Sequence, residues 1–299
     1  MMIHRVIKRI QRHFRKPDRY YKIDGFMLDM GDNHLLSLYQ EDCRLYSRFI
    51  PYLAELANEI RGQQGTIIDL GANVGDTVAA MIRHTTGKVL CIEPADEYYK
   101  LLKKNIEAMQ IASRVGTVQA FISNQKKNYQ VIVSGGGTGV QQEYLGSKIP
   151  TFSLPELFDQ YNIAMNDVPV IKTSTSGNDA GAILSLGDSL REMNPVFYIE
   201  SSLPWGAEED VCSSHLVEYL QMYDYFADHG YESCFVFDNF GNYLCKVKPD
   251  TLKEIHHYIY RMEMEKSNRT FYYLYVLACR KEFERLCTDA VRRYVEDYS

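Results

Sequence analysis

The chain has 299 residues, of which 45% are hydrophobic and 24% charged, and this length and composition are typical of a folded globular protein. The formal net charge of −6 at pH 7 gives no general attraction to nucleic-acid phosphates, so nucleic acid is not predicted as a partner. The seven cysteines are scattered without a C-x-x-C pair, which argues against a disulfide framework and against a zinc site.

The N-terminal stretch has apolar residues at helical spacing from Ile3 to Phe14, with basic residues on its other faces. This pattern predicts a basic amphipathic helix. We favour a helix that packs on the domain over one that makes a weak contact with a membrane surface or an acidic protein. Residues 1–50 are expected to form a helical and irregular extension, and residues 51–299 one domain. No apolar run suits a transmembrane helix or a signal peptide, so a cytoplasmic location is expected.

Strands and helices alternate along the chain from Thr66. The predicted elements of the first half are a strand at residues 66–70, a helix at 76–84, a strand at 88–93, a helix at 96–109 and a strand at 115–121. An inserted hairpin of residues 129–133 and 139–143 is predicted next. Such alternation is typical of right-handed βαβ units on a parallel sheet.

The second half continues the pattern. Its predicted elements are strands at residues 167–173, 195–200, 231–237 and 272–278, with helices at 180–193 and 208–228. The sequence Asp-Asn-Phe-Gly-Asn at residues 238–242 predicts a turn that closes the third of these strands. The sequence therefore predicts an α/β fold, with a mostly parallel seven-stranded sheet and helices on both faces.

The stretch that begins at Thr66 carries the strongest functional signal. Its strand ends in Asp69, and Gly71 and Gly75 then allow a tight turn and a close approach of a ligand to the backbone before a helix begins. The next strand ends in Glu93, about 20 residues beyond the glycines. An acidic residue at that point is placed to accept hydrogen bonds from ribose hydroxyls.

The glycine spacing separates two nucleotide cofactors. The sequence from Gly71 to Gly75 is G-A-N-V-G and follows an acid, whereas dinucleotide sites have G-x-G-x-x-G. A pyrophosphate prefers the bare N-terminus of a helix. The cationic sulfonium and ammonium groups of S-adenosylmethionine tolerate Asp69 nearby, so this cofactor is predicted and NAD is the disfavoured alternative. The predicted cofactor-binding residues are Asp69, Gly71, Asn73, Gly75, Asp76 and Glu93.

Five ordered stretches resemble one known family. These stretches lie at residues 68–76, 91–94, 170–177, 195–200 and 237–242. Together they are similar to FkbM-type methyltransferases. The resemblance implies a class I methyltransferase (Rossmann-like) fold and S-adenosylmethionine-dependent O-methylation of a hydroxyl on a small molecule or on a glycan or polyketide-type acceptor.

The same resemblance exposes a departure after the fourth strand. The family usually has acidic residues in a pattern like Lys-x-Asp-x-(Asp or Glu)-Gly, but here Ser174 and Ser176 occupy those positions. Either Asp179 or Glu200 supplies the missing charge, or the chain is a catalytically impaired, cofactor-binding partner module. Replacing both serines with aspartate is expected to strengthen ligand binding if they face the ligand.

Methyl transfer to a hydroxyl needs a base that takes the proton. Ligands of open α/β sheets bind beyond the carboxyl ends of the strands, which favours Lys172, Glu200 and Asp238 as catalytic candidates. Each also has an ordinary structural interpretation: an ion pair for Lys172, a cap for Glu200 and a turn for Asp238. No metal site is predicted.

Overall fold

The computed structural model describes residues 16–32, 34–124, 129–134, 137–142, 149–204, 208–265 and 273–299. The predicted basic helix lies almost entirely outside these residues. Within them, no helix has the length and the apolar content needed to cross a membrane.

Fourteen strands are present in the part of the chain that the structure describes. They are β1 (Tyr20–Ile23), β2 (Phe26–Asp29), β3 (Thr66–Leu70), β4 (Lys88–Ile92), β5 (Val115–Val118), β6 (Phe121–Ile122), β7 (Tyr129–Ser134), β8 (Gly137–Gln142), β9 (Thr151–Phe152), β10 (Val170–Thr173), β11 (Val196–Ser202), β12 (Ser233–Asp238), β13 (Tyr243–Val247) and β14 (Tyr273–Cys279). The predicted strand at 115–121 is two strands, because β6 leaves the main sheet to pair with β9.

The described residues also form nine α-helices. They are α1 (Leu36–Asp42), α2 (Ile50–Arg61), α3 (Asp76–Met81), α4 (Asp96–Met109), α5 (Leu154–Gln160), α6 (Asp179–Leu184), α7 (Glu209–Asp228), α8 (Pro249–Met264) and α9 (Glu284–Tyr298). The helix predicted at residues 180–193 is interrupted, because Gly187 has a φ of +52° and starts a separate 3₁₀ turn over Gly187–Arg191. Helix α3 is shorter than predicted and ends at Met81.

The main sheet has eight strands in the order β13-β12-β14-β11-β10-β3-β4-β5. The five strands from β11 to β5 are parallel, and β14 runs antiparallel to both β11 and β12. The prediction of seven strands misses the edge strand β13, which pairs with β12 across the predicted turn. The order reverses between β3 and β10, and such a reversal opens a crevice beyond the carboxyl ends of the two strands.

Helices cover both faces of this sheet, as predicted. Buried side chains of α2, α3, α4 and α9 pack on one face. Those of α5, α6, α7 and α8 pack on the other. Because both faces are covered, most residues of the parallel strands are buried, and the buried charged side chains Asp69 and Lys172 lie toward the ends near the crevice.

The segment before α2 is attached to α4 through Asp29 and Asn105. The Asp29 N–H donates to Asn105 Oδ1 at 2.9 Å, and Asn105 Nδ2 donates to the Asp29 carbonyl at 2.9 Å. The same Nδ2 donates to the carbonyl of Val74 at 2.8 Å. One buried amide therefore ties this segment to the glycine turn after β3. The predicted boundary at residue 50 stays a prediction.

Candidate functional site

Four of the predicted site residues lie along one edge of the sheet, at the carboxyl ends of its parallel strands. Asp69 in β3 is directly opposite Lys172 in β10, so this pair spans the point where the strand order reverses. Glu93 follows β4, and Glu200 lies near the end of β11. The tertiary structure thus collects three carboxylates and one ammonium at the crevice.

Lys172 and Asp69 form a buried ion pair. Lys172 Nζ lies 2.9 Å from Asp69 Oδ1, and the two side chains are 5% and 0% exposed. Burial raises the pKa of Asp69, and the attraction of Lys172 opposes this shift. For Lys172, burial lowers the pKa, but Asp69, Asp76 and Glu200 outweigh it and the net shift is upward. We conclude that Lys172 is a charged partner of Asp69, which matches its structural interpretation.

The turn after β3 needs a glycine at position 71, because the chain that follows β10 packs directly against it. Gly71 has a φ of +75°, and a Cβ atom there would lie 2.0 Å from the carbonyl oxygen of Ser174. Asn73 also has a positive φ, of +47°, and Gly75 has a φ of +91° just before α3. The turn is therefore held in a left-handed conformation and pressed against the chain that leaves β10.

Glu93 holds this turn from the second strand. Its Oε2 accepts the N–H of Asn73 at 2.9 Å, and its Oε1 accepts the N–H of Ala95 at 2.8 Å. The side chain is fully buried, and burial raises its pKa to about 7, while the two N–H donors lower it less. Each carboxylate oxygen still has lone-pair capacity for a ligand hydroxyl.

The raised pKa of Glu93 makes stability depend on pH. The unfolded chain loses this proton near pH 4.5 and the folded chain near pH 7, so the contribution is full below pH 4.5 and disappears as pH rises to 7. We expect it to amount to about 3 kcal/mol of unfolding free energy over that interval. Urea titrations of the wild type and Glu93→Gln at half-unit pH steps measure it, since the variant cannot titrate there.

Exposed Glu97 on α4 provides the matched control, because Glu97→Gln changes the same group outside the core. This control variant should keep the wild-type pH dependence. A Glu93→Gln curve parallel to the wild-type curve between pH 4.5 and 7 would contradict the assignment.

The Glu200 carboxylate contacts Ser174, which follows β10, and Tyr275 in β14. Ser174 Oγ donates to Glu200 Oε2 at 2.7 Å, and the Tyr275 hydroxyl lies 3.5 Å from the same oxygen. Burial and the charge of Asp179 raise the pKa of Glu200 to about 7, against the lowering effects of Ser174 and Lys172. A carboxylate with this pKa can take a proton near neutral pH.

Asp238 and Asp76 make their close contacts outside this group, although the charge of Asp76 contributes to the raised pKa of Lys172. Asp238 Oδ1 accepts the N–H groups of Phe240 and Asn242 at 2.9 and 2.8 Å, so its carboxylate holds the β12–β13 turn. Asp76 begins α3 and lies 3.8 Å from His34 Nε2. It lines a different cavity, of about 440 Å³, which also contacts α2 and α9.

Three residues of the site were missed or misjudged from the sequence. Ser174 was noted only as a departure from a family pattern, and Tyr275 was one tyrosine in an apolar strand. Asp179, proposed as a replacement charge, is buried and accepts the N–H groups of Thr175 and Gly177 at 3.1 and 3.3 Å. The Asp179 carboxylate therefore binds the backbone of its own loop.

A narrow cavity lies beside the glycine turn, with a volume of about 20 Å³. It is lined by Leu70, Gly71, Ile92, Pro94, Ala120, Phe121, Ile122, Thr175 and Asn178. Asn178 Nδ2 donates to the carbonyl of Ile122 at 2.9 Å and joins two walls of the cavity. Ligand pockets are usually about 300–1,000 Å³, so this cavity is too small to hold a nucleoside as it stands.

Solved structures that resemble this chain include several methyltransferases. An O-methyltransferase from Bacillus cereus in complex with SAH is 11% identical, with a TM-score of 0.44 over 78% of this chain and 80% of that chain. A putative O-methyltransferase from Klebsiella pneumoniae is 9% identical, with a TM-score of 0.44 over 81% of this chain and 87% of that chain. The geranyl diphosphate C-methyltransferase from Streptomyces coelicolor A3(2) is 13% identical, with a TM-score of 0.41 over 79% and 80%.

The main sheet is mostly parallel and has helices on both faces. The α/β fold predicted from the sequence is therefore confirmed, with eight strands in the sheet rather than seven. No protein-family model matches the chain, and no curated protein sequence does.

Proposed function

We propose that this chain is an S-adenosylmethionine-dependent O-methyltransferase of the FkbM type. Its acceptor is a hydroxyl of a small molecule or of a glycan or polyketide-type molecule. The observation that carries the proposal is the grouping of Asp69, Glu93, Lys172 and Glu200 at one crevice, beside a strained glycine turn. Ligands of open α/β sheets bind in this position.

The side chains at the crevice fit the charge and the hydroxyl groups of the cofactor. Glu93 would accept hydrogen bonds from the ribose hydroxyls, and the negative charge of Asp69 would attract the cationic end of the molecule. The N–H groups and small residues of the turn, from Gly71 through Asn73 and Gly75 to Asp76, form the wall against which the cofactor lies. When bound, S-adenosylmethionine supplies an electrophilic methyl group on a positively charged sulfur.

We expect cofactor binding to widen the cavity beside Gly71, where Asn178 is hydrogen-bonded to Ile122. The lining of the 20 Å³ cavity beside Gly71 includes Ile92, Ala120 and Phe121. These apolar side chains suit the faces of a purine ring. Binding therefore includes an outward movement of Phe121–Ile122 and loss of the hydrogen bond from Asn178 to Ile122.

Glu200 takes the proton of the acceptor hydroxyl. Of the three carboxylates at the crevice, Asp69 is paired with Lys172 and Glu93 is bonded to the turn. This leaves Glu200 as the base. Lys172 keeps Asp69 charged beside the cofactor site. Asp238 stays in its turn and supports β12 rather than the reaction.

The described cysteines are all free thiols, which supports a reducing compartment such as the cytoplasm.

Calorimetry and thermal unfolding of the full chain test the cofactor. S-adenosylmethionine and S-adenosylhomocysteine, each at 100 times its dissociation constant, are expected to add about 2.7 kcal/mol to stability. For a large domain this raises the melting temperature by roughly 5–10 °C. NAD should have no effect. Glu93→Gln should weaken binding at least tenfold, while the exposed control Glu97→Gln should not.

Methyl transfer is then measured with methyl-labelled S-adenosylmethionine and a panel of sugars, polyketides and other hydroxylated compounds. Labelled ether product with release of S-adenosylhomocysteine supports the proposal. Binding without turnover across the panel would favour the non-catalytic partner module, and binding of NAD alone would favour an oxidoreductase. If none of the three compounds binds, the cofactor assignment is wrong.

A further inference from the structure

Backbone contacts fix the position of Ser174 independently of its side chain. It follows directly after β10, and its N–H donates to the carbonyl of Leu70 at 3.0 Å. Its own carbonyl is pressed against Gly71, where no Cβ atom fits. The serine hydroxyl therefore starts from a rigid position beside the glycine turn, and it donates to Glu200 Oε2 at 2.7 Å.

Tyr275 reaches the same carboxylate from the other side. It is directly opposite Glu200 in the antiparallel pairing of β11 and β14, and its hydroxyl lies 3.5 Å from Oε2. Its ring stacks on Tyr198 with centroids 5.2 Å apart and planes inclined by 2°. Burial raises the pKa of Tyr275 well above its ordinary value, so its hydroxyl keeps its proton and stays a donor.

We propose that Ser174, assisted by Tyr275, is the positioning residue that holds Oε2 of Glu200, so that the other carboxylate oxygen receives the proton of the acceptor hydroxyl. This inference rests on the proposed function and deepens it. The acceptor loses its proton to Glu200 and gains the methyl group of S-adenosylmethionine, whose carbon–sulfur bond breaks with its electron pair left on sulfur. The products are the methyl ether and S-adenosylhomocysteine, and Glu200 later returns the proton to solvent.

This assignment explains why a serine suits position 174. A carboxylate there would lie within hydrogen-bond distance of Glu200, and two carboxylates so close cannot both be ionised near neutral pH. The second departure, at Ser176, is different. Ser176 is exposed and has a φ of +54°, so its side chain does not take part in this contact.

The protonation of Glu200 can be measured without any ligand. The full chain is labelled with carboxyl-¹³C glutamate, and the Glu200 signal is identified by its absence in Glu200→Gln. We expect Ser174→Ala to raise the measured pKa of Glu200 by about one unit, because a hydrogen bond to the charged form is lost. Ser174→Thr should restore it, and Ser174→Asp should raise it further. The matched control Ser176→Ala should leave it unchanged.

If the Ser174 hydroxyl did not bond to the Glu200 carboxylate, Ser174→Ala would lower stability without moving this pKa. If the Glu200 pKa in Ser174→Ala equals that of the wild type, the inference is overturned, whatever the cofactor experiments show. With a panel acceptor, Ser174→Ala should lower kcat by about tenfold and shift the acid limb of its pH profile upward, with little change in KM. Calorimetry reports separately on the cofactor, so failure of the proposed function is recognised by absent binding in the wild type.

Discussion

Replacing Gly71 with alanine is expected to lower the unfolding free energy by about 2–5 kcal/mol. Two costs add. A left-handed backbone disfavours a Cβ atom by about 1–2 kcal/mol, and the backbone collision with Ser174 at 2.0 Å forces a displacement that costs about 1–3 kcal/mol or more. Urea denaturation followed by circular dichroism measures the difference.

Gly230 is the matched control for this substitution. Its φ of +78° is nearly that of Gly71, but a Cβ atom there meets nothing within 4 Å. Gly230→Ala should therefore cost only the conformational part, about 1–2 kcal/mol. Equal losses in the two variants would show that the contact between Gly71 and Ser174 is not tight. If Gly71→Ala does not fold, the same comparison made with Gly71→Ala in saturating S-adenosylhomocysteine tests whether a ligand recovers the fold.

Replacing Lys172 with methionine is expected to cost about 3–5 kcal/mol, because Asp69 would then be a buried charge without its cation. Asp69 is fully buried, so water cannot take the place of the ammonium. The double variant Asp69→Val with Lys172→Met removes both charges and should be several kcal/mol more stable than Lys172→Met alone. A double-mutant cycle by urea denaturation gives the coupling energy directly.

Lys100 and Asp96 form the control pair for that cycle. Their charged groups are 2.5 Å apart on α4, but the side chains are 73% and 64% exposed. Solvent screens such a pair, and Lys100→Met should cost much less unfolding free energy than Lys172→Met. If Lys172→Met is as mild as this control, Lys172 does not keep Asp69 charged, and the role assigned to the pair is wrong.

The expectation that aspartates at positions 174 and 176 strengthen binding depended on both serines facing the ligand. Only Ser174 is directed into the crevice, and it already donates to Glu200. We now expect Ser174→Asp to disturb the site, because it replaces a donor with a second acceptor of the same charge.

The sequence by itself determined the architecture. Apolar runs and helical periodicity placed β3, β4 and β10 within a few residues, and α4 to the residue, because these elements bury one side or both sides and so carry a strong local pattern. The positions of Asp69, Gly71 and Glu93 at the ends of two neighbouring strands were also predicted from local sequence, since their spacing follows from the length of one βαβ unit. Strand β13 was missed, because it is a largely exposed edge and shows no such pattern.

Only the tertiary structure decided which side chains meet. The pairing of Lys172 with Asp69 depends on the register of β10 against β3, and that of Ser174 with Glu200 on the adjacent β11. The tertiary structure also distinguishes Glu200 from Asp238. Asp238 occupies an equivalent strand end but is bonded to its own turn. Contacts between residues distant along the chain are set by packing and register. A strand-end position can be read from sequence, whereas the partner of its side chain cannot.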